Sequence, residues 1–167
     1  MEVARLHRCL SLTCITSPFA QDLKFYTEFL VPHFVFENFT QFIPLCEPEH
    51  RSGGAKNNLA RARRFGFSVE VVETPAQMEE WCALHRQRQG ELRATLPSER
   101  LYHSIFQNLV PRGKALFLLV RAGKEVASCG LYVFHQSVMD VFAIDMNLKF
   151  AQHAPNALAT EFSMCYA

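Results

Sequence analysis

A run of basic side chains between residues 51 and 64 is the most strongly one-signed stretch of the sequence. Its cations are Arg51, Lys56, Arg61, Arg63 and Arg64, and no acidic residue interrupts them. On a helix, Lys56, Arg63 and Arg64 share roughly one side, while Asn57 lies four residues before Arg61 on another side. Arginine binds phosphate and carboxylate through paired hydrogen bonds, so the run predicts a cradle for the phosphates of a nucleotide-like donor or for an anionic acceptor. The alternative is a solvated helix face.

Asp145 is the carboxylate whose surroundings are least suited to a charge. It follows Val141 to Ile144 in an apolar run, where a carboxylate is either paired or functional. Asp140 is less informative, because it lies beside a predicted turn. Glu70 and Glu73 alternate with valines, so these two are expected to face solvent. An amine acceptor must lose a proton before it attacks, and Asp145 is therefore our candidate for the base or for an orienting group.

Other kinds of catalytic or metal site find no support in the residue spacing. Seven histidines and six cysteines are scattered without zinc-ligand spacing, so we expect no metal, and each histidine is expected to be an ordinary surface or core residue. No nucleophile signature such as G-x-S-x-G is present. The cysteines are expected to be buried, reduced thiols, which favours a cytoplasmic protein.

Length and charge narrow the class of protein further. The chain has 167 residues, a net charge of +1, 49% hydrophobic and 20% charged residues, which is typical of a globular domain of ordinary size. A nucleic-acid binder held by bulk charge would need a larger positive excess. No apolar stretch approaches the roughly 20 residues that a membrane-spanning helix requires.

The order of the predicted elements is strand, helix, helix, strand, strand, strand, helix. These elements follow a basic helix over Lys56 to Phe65, with Gly66 as its C-terminal cap. The first strand is Ser68 to Thr74, and two helices come next, one capped by Thr74 with Gln77 and one capped by Ser98. The remaining elements are three strands, Ala115 to Arg121, Glu125 to Phe134 and Val138 to Leu148, and a helix from Pro155 to Tyr166. Ala122-Gly123-Lys124 and Gln136-Ser137 are short enough to be hairpin turns, so the three strands form an antiparallel meander. Upstream, Asp22 to Leu30 predicts a helix, Val35 to Leu45 a strand and Cys46 to Gly54 a loop.

Residues 55–167 resemble the GNAT acyltransferase superfamily, and within it the branch of Fem-type aminoacyltransferases and related cell-envelope and polysaccharide-associated proteins. The resemblance rests on the Lys56 to Gly66 helix (KNNLARARRFG), on the Ala122 to Ala127 turn, and on Asp145 followed by Pro155-Asn156-Ala157-Leu158. It implies an α/β (α+β) fold with a mostly antiparallel, twisted sheet flanked by helices. It also implies acyl or aminoacyl transfer to an amine, by direct attack on a bound donor.

The resemblance further implies a donor site. GNAT enzymes bind the pyrophosphate of coenzyme A at the start of the helix after the fourth strand, which here is Pro155-Asn156-Ala157. Together with Lys56, Asn57, Arg61, Arg63 and Arg64, these residues are the predicted donor-binding set. The donor is acyl-CoA, typically acetyl-CoA, or aminoacyl-tRNA as in the Fem branch. His153 to Asn156 holds none of the family's usual glycines, and Pro155 lacks an N–H, which weakens coenzyme A binding in particular.

Two departures from the family pattern leave an alternative open. The family's domain continues past this last helix, so residues 51–167 are expected to be a partial acyltransferase domain, and residues 1–50 the tail of a preceding half-domain. The edge strand near Val138 to Leu148 would then be free to form a homodimer. The alternative function is a catalytically inactive or truncated domain that acts as a binding or assembly module. The expected acceptor of the enzyme is a glycan or peptidoglycan precursor.

Overall fold

The computed structural model describes residues Lys24, Glu28, 52–95, 97–135 and 138–166. The chain divides into two units, Met1–Pro44 and Leu45–Ala167, and the helices and strands described below belong to the second. The helix predicted for Asp22 to Leu30, apart from Lys24 and Glu28, and the strand predicted for Val35 to Leu45 lie outside the described residues. No helix in the described part of the chain is both long enough and apolar enough to cross a membrane.

Four α-helices and four β-strands make up the described part of the second unit. In chain order they are α1 (Gly53–Phe65), β1 (Ser68–Val71), α2 (Pro75–Glu91), α3 (Glu99–Asn108), β2 (Ala115–Ala122), β3 (Glu125–His135), β4 (Val138–Met146) and α4 (Pro155–Tyr166), with short 3-10 helices at Val110–Arg112 and Leu148–His153. The predicted order of elements and the α+β fold class are confirmed. The predicted strand Val138 to Leu148 ends two residues early, because the chain turns into the second 3-10 helix.

The strands form one antiparallel sheet in the order β1-β2-β3-β4. The β2–β3 hairpin closes at Ala122↔Glu125, where Gly123 has a φ of +62° that favours glycine, so the predicted turn is confirmed. Between β3 and β4 the register shifts at Leu131/Tyr132, which pair with Ala143 and Val141. Phe142 is therefore the extra residue of a β-bulge in β4, an edge strand of the described sheet.

Each face of the sheet buries its own hydrophobic core. On one face, Trp81 of α2 and Tyr102 of α3 pack with Phe117 of β2 and Leu131 of β3. On the other face, Phe162 of α4 packs against a cluster from β2 and β3 made of Leu116, Leu118 and Tyr132. Every residue of β2 from Ala115 to Val120 is buried, which is typical of a strand that is covered on both faces.

Local capping determines where the helices begin and end. Gly66 stands after α1 with a φ of 85°, as a C-terminal glycine should. Thr74 accepts a hydrogen bond from the Gln77 N–H, and the Gln77 side chain accepts one from the Thr74 N–H, so the predicted capping box is confirmed. β1 ends at Val71 rather than at Thr74, because Thr74 is already the cap of α2.

Candidate functional site

An open groove of about 370 Å³ lies where the end of α1 meets the segment before α4. Its lining residues are Arg61, Arg64 and Phe65 of α1 and His153, two residues before α4 begins. The ring of Phe65 lies against the imidazole of His153, with 4.1 Å between the ring centroids. Two permanent cations and one titratable ring therefore surround an apolar surface that is open to solvent.

Aromatic packing beneath the groove holds its wall in position. The left-handed turn at Gly66 returns the chain so that Phe67 contacts Phe65, with ring centroids 4.5 Å apart. Both rings meet Phe150 of the 3-10 helix at 6.0 Å, and Phe150 is only 6% exposed. Phe65 itself stays 40% exposed, so it offers a fixed apolar face beside the two guanidinium groups.

The other predicted donor-binding residues of α1 lie outside the groove lining. Lys56 and Asn57 are exposed on the first turns of the helix, and Arg51 lies outside the described residues. Arg61 donates a hydrogen bond to the Asn58 side chain, so its guanidinium is held along the helix surface. Arg63 faces α4, where its guanidinium lies 3.5 Å from the carboxylate of Glu161. The structure thus brings Arg61 and Arg64 together and turns Arg63 toward a different element.

The start of α4 offers few free backbone donors. Pro155 is buried and has no N–H, and the Ala157 N–H donates to the Ala154 carbonyl at 3.1 Å. The side-chain oxygen of Asn156 accepts a 2.5 Å hydrogen bond from the hydroxyl of Ser128 on β3. An anion at this helix start would therefore depend on side chains of the groove, rather than on a row of backbone N–H groups.

Asp145 lies on the opposite face of the sheet, within a buried polar network. The carboxylate is 5% exposed, and its Oδ2 atom lies 2.6 Å from Nδ1 of His85 on α2. Its Oδ1 atom accepts a 2.9 Å hydrogen bond from the side-chain amide of Gln89, one turn further along α2. The other ring nitrogen of His85 lies 2.8 Å from the hydroxyl of Tyr102 on α3. Asp145 is thus a paired carboxylate, as its apolar surroundings require.

Burial keeps the neighbouring acidic groups of this network protonated. It raises the pKa of the Tyr102 hydroxyl, and the nearby charge of Asp145 raises it further. Burial also raises the pKa of Cys82 to about 11 and that of Cys129, which pairs with Asp145 across the strands, well above its usual range. The tyrosine and both thiols therefore stay neutral at physiological pH, and they add no negative charge beside the carboxylate of Asp145.

The sequence pattern singled out Asp145 but did not indicate its partners. His85 was expected to be an ordinary surface or core histidine, yet it is 5% exposed and bonded at both ring nitrogens. The available signal was its place in the apolar stripe of α2 with Met78, Trp81 and Leu84, where a polar ring needs a partner. Nothing local identifies Tyr102 or Asp145 as that partner, since they are 17 and 60 residues away.

Comparison with known families identifies the chain. A model of the GNAT acetyltransferase domain matches residues 51–166, which is well over half of the chain. The protein therefore belongs to the GNAT superfamily, and the superfamily and its general acyltransferase activity are confirmed. A search of curated proteins finds no match. Among the described residues, no group of three or more His, Cys, Asp or Glu side chains is arranged to hold a metal ion.

Proposed function

We propose that this GNAT domain transfers an acyl group from acyl-CoA to an amine, with the donor phosphates held in the groove formed by α1 and His153. The observation that carries the proposal is the meeting of Arg61, Arg64 and His153 in one groove directly before α4. These residues come from positions about 90 residues apart in the sequence. Their convergence beside the helix start that the superfamily uses for donor binding is the main support for a donor site.

In this proposal, the arginine side chains bind the donor phosphates, which at other helix starts are bound by backbone N–H groups. The two guanidinium groups can each give paired hydrogen bonds to phosphate oxygens. The exposed face of Phe65 gives the same donor an apolar surface. Because the groove is open to solvent, it leaves room for the rest of the long donor. The proposed donor set is thus centred on Arg61 and Arg64. The other candidates lie outside the groove lining: Pro155, Asn156 and Ala157, which begin two residues after His153, and Lys56, Asn57 and Arg63.

The reacting end of the donor would lie at β4, between the groove and Asp145. β4 carries Asp145 and is followed by the 3-10 helix that ends at His153, so this stretch of chain connects the carboxylate to the groove. The bulge at Phe142 interrupts the ladder there, and bulges are frequent beside active sites. The acceptor nitrogen would attack the thioester carbonyl, forming a C–N bond as the C–S bond breaks. The departing thiolate takes up a proton from solvent, and Asp145 Oδ1 accepts the proton that the nitrogen loses.

The acceptor and the branch of the superfamily are finer parts of the proposal. We assign the acceptor to the amines of cell-envelope or polysaccharide precursors, on the Fem-like residues of α1 and of the α4 start. Aminoacyl-tRNA is a second donor candidate, because it also presents phosphates to the two arginines. Both donors are cytoplasmic, and Cys82, Cys129 and Cys165 are free thiols, which supports a cytoplasmic enzyme. Homodimerisation through β4 is supported by Val141 and Phe142, each about half exposed.

A binding or assembly module without catalysis is the competing function. It is favoured by the state of Asp145, whose two carboxylate oxygens are both occupied by Gln89 and His85. A base that acts on an acceptor would have to exchange its Gln89 hydrogen bond for one to the amine. If that exchange does not occur, the same network only stabilises the packing of α2 and α3 on β4.

Thiol release from acetyl-CoA in the presence of a panel of amines, including amino sugars and peptidoglycan-precursor peptides, tests the proposal. We expect acceptor-dependent release, a rise of about tenfold in the donor KM for Arg61→Ala/Arg64→Ala, and an unchanged KM for the control Arg100→Ala/Arg112→Ala. The control removes the same charge from exposed positions of α3 and the following 3-10 helix. Donor binding without release with any acceptor would favour the binding module. Equal effects of the two double variants would contradict the assignment of the groove as the donor site.

A further inference from the structure

We infer that His85 and Tyr102 are positioning residues, which hold one oxygen of the Asp145 carboxylate fixed and leave the other, Oδ1, turned toward Gln89 and the acceptor. This inference rests on the proposed function, because it assigns a task to Asp145. It adds two residues that neither the sequence pattern nor the family match identifies. The contacts that carry it join three elements: Asp145 on β4, His85 on α2 and Tyr102 on α3.

With an ionised carboxylate and a neutral imidazole, the hydrogen-bond donors and acceptors allow one arrangement. An ionised carboxylate only accepts, so Nδ1 of His85 must carry the hydrogen that faces Asp145 Oδ2. The other ring nitrogen of a neutral imidazole is then an acceptor, and the Tyr102 hydroxyl donates to it. Burial keeps Tyr102 protonated, as its raised pKa indicates. The tyrosine hydroxyl therefore satisfies the second ring nitrogen in the histidine tautomer that Asp145 sets.

Ring packing holds the network in a single geometry. The indole of Trp81 stacks on His85 with 5.0 Å between centroids, and its N–H donates to the Gly130 carbonyl at 3.0 Å. The ring of Tyr102 meets His85 edge-on at 4.8 Å. With the rings held on both sides, the imidazole cannot rotate to offer its other nitrogen without breaking buried contacts. The charged and titratable groups that face it are Asp145 from β4 and Tyr102 from α3, with the neutral thiols of Cys82 and Cys129 near the network.

Gln89 is the partner that an acceptor can replace. Its neutral amide bonds Asp145 Oδ1 from a half-buried position, whereas the bond from His85 to Oδ2 is fully buried. An amine that displaces the amide would meet a carboxylate oxygen whose partner oxygen is already fixed. Loss of the Tyr102 hydroxyl would leave Nε2 of His85 without its donor, and so loosen the imidazole that holds Asp145 Oδ2, without touching the donor groove.

The test compares two buried Tyr→Phe variants. Tyr102→Phe removes the hydroxyl that bonds His85. Tyr132→Phe is the matched control, because Tyr132 is fully buried on the opposite face and its hydroxyl makes no hydrogen bond of normal geometry with a described residue. We expect Tyr102→Phe to lower kcat roughly tenfold, the effect of losing one hydrogen bond, with the donor affinity within about twofold of the starting protein. Tyr132→Phe should leave kcat unchanged. Equal kcat values for the two variants would overturn the inference.

A spectroscopic arm keeps the inference testable if the protein shows no turnover. In ¹⁵N-histidine-labelled protein, the His85 signals are identified by their loss in His85→Gln. We expect an Nδ1–H signal that moves upfield in Asp145→Asn, where a neutral amide oxygen replaces the carboxylate as acceptor, and an Nε2 shift that moves in Tyr102→Phe but not in Tyr132→Phe. Absence of turnover with these shifts present would refute the proposed function and support the positioning geometry. An Nε2 shift that is the same in both tyrosine variants would overturn the inference whatever the activity.

Discussion

Replacing Asp145 with Asn keeps the size of the side chain and removes its charge from a buried network. The carboxylate accepts two hydrogen bonds, at 2.6 Å from His85 and 2.9 Å from Gln89, whereas an asparagine oxygen can accept only one of them. The Asn amide must then face Gln89, which can turn its own oxygen to meet it. The variant loses the charge-assisted part of these hydrogen bonds, so we expect the free energy of unfolding to fall by about 2 kcal/mol. For a unit of this size, that is a Tm lower by about 8 °C.

Asp145→Leu provides the upper bound of the same effect. It leaves the buried Nδ1–H of His85 without an acceptor, and we expect a loss of about 3–5 kcal/mol. Asp140→Asn is the control, because Asp140 is an exposed residue on the same strand. Urea unfolding followed by the fluorescence of Trp81, the one tryptophan of the chain, measures all three variants. A loss below about 1 kcal/mol for Asp145→Leu would refute the view that this pair ties β4 to α2.

Two further predictions concern buried side chains. Gly130→Ala should destabilise the protein by about 1–3 kcal/mol in the same urea assay, because the new Cβ would lie 2.8 Å from a ring carbon of the buried Tyr132; a loss below about 0.5 kcal/mol would contradict this packing. At pH 8, iodoacetamide should modify Cys165 well before Cys82 and Cys129 among the described cysteines, because Cys165 is exposed and the pKa values of the two buried thiols are raised. Peptide mapping by mass spectrometry checks the order, and early labelling of Cys82 would contradict it.

The parts of the fold that depend on local chemistry could be predicted from the sequence. The cap at Gly66, the capping box at Thr74 and the turn at Gly123 each depend on a few adjacent residues, and all three were predicted correctly. The four strands were also found, because β-branched and apolar runs identify them. The strand end after Met146 was wrong, since the 3-10 helix that follows carries no strong local signal beyond the Asn147 side chain that caps it.

The candidate site could be predicted only in part. Asp145 was singled out because a charge in an apolar strand needs an explanation, and the structure supplies one. The partners could not be named, since the pairing of His85 with Asp145 depends on how α2 packs on the sheet. The donor groove shows the same limit. Helical spacing groups Arg63 with Arg64, whereas the packing of α4 draws Arg63 to Glu161 and leaves Arg61 beside Arg64.

Calorimetric titration of acetyl-CoA, and separately of deacylated tRNA, into the protein tests the central claim most directly. We predict saturable acetyl-CoA binding in the micromolar range that weakens by about tenfold in Arg61→Ala/Arg64→Ala and remains unchanged in Arg100→Ala/Arg112→Ala. Selective binding of tRNA that persists at moderate salt would indicate that the groove binds aminoacyl-tRNA, the second donor candidate, instead. Absence of binding by either donor, or equal affinity in both double variants, would contradict the assignment of the groove as a donor site.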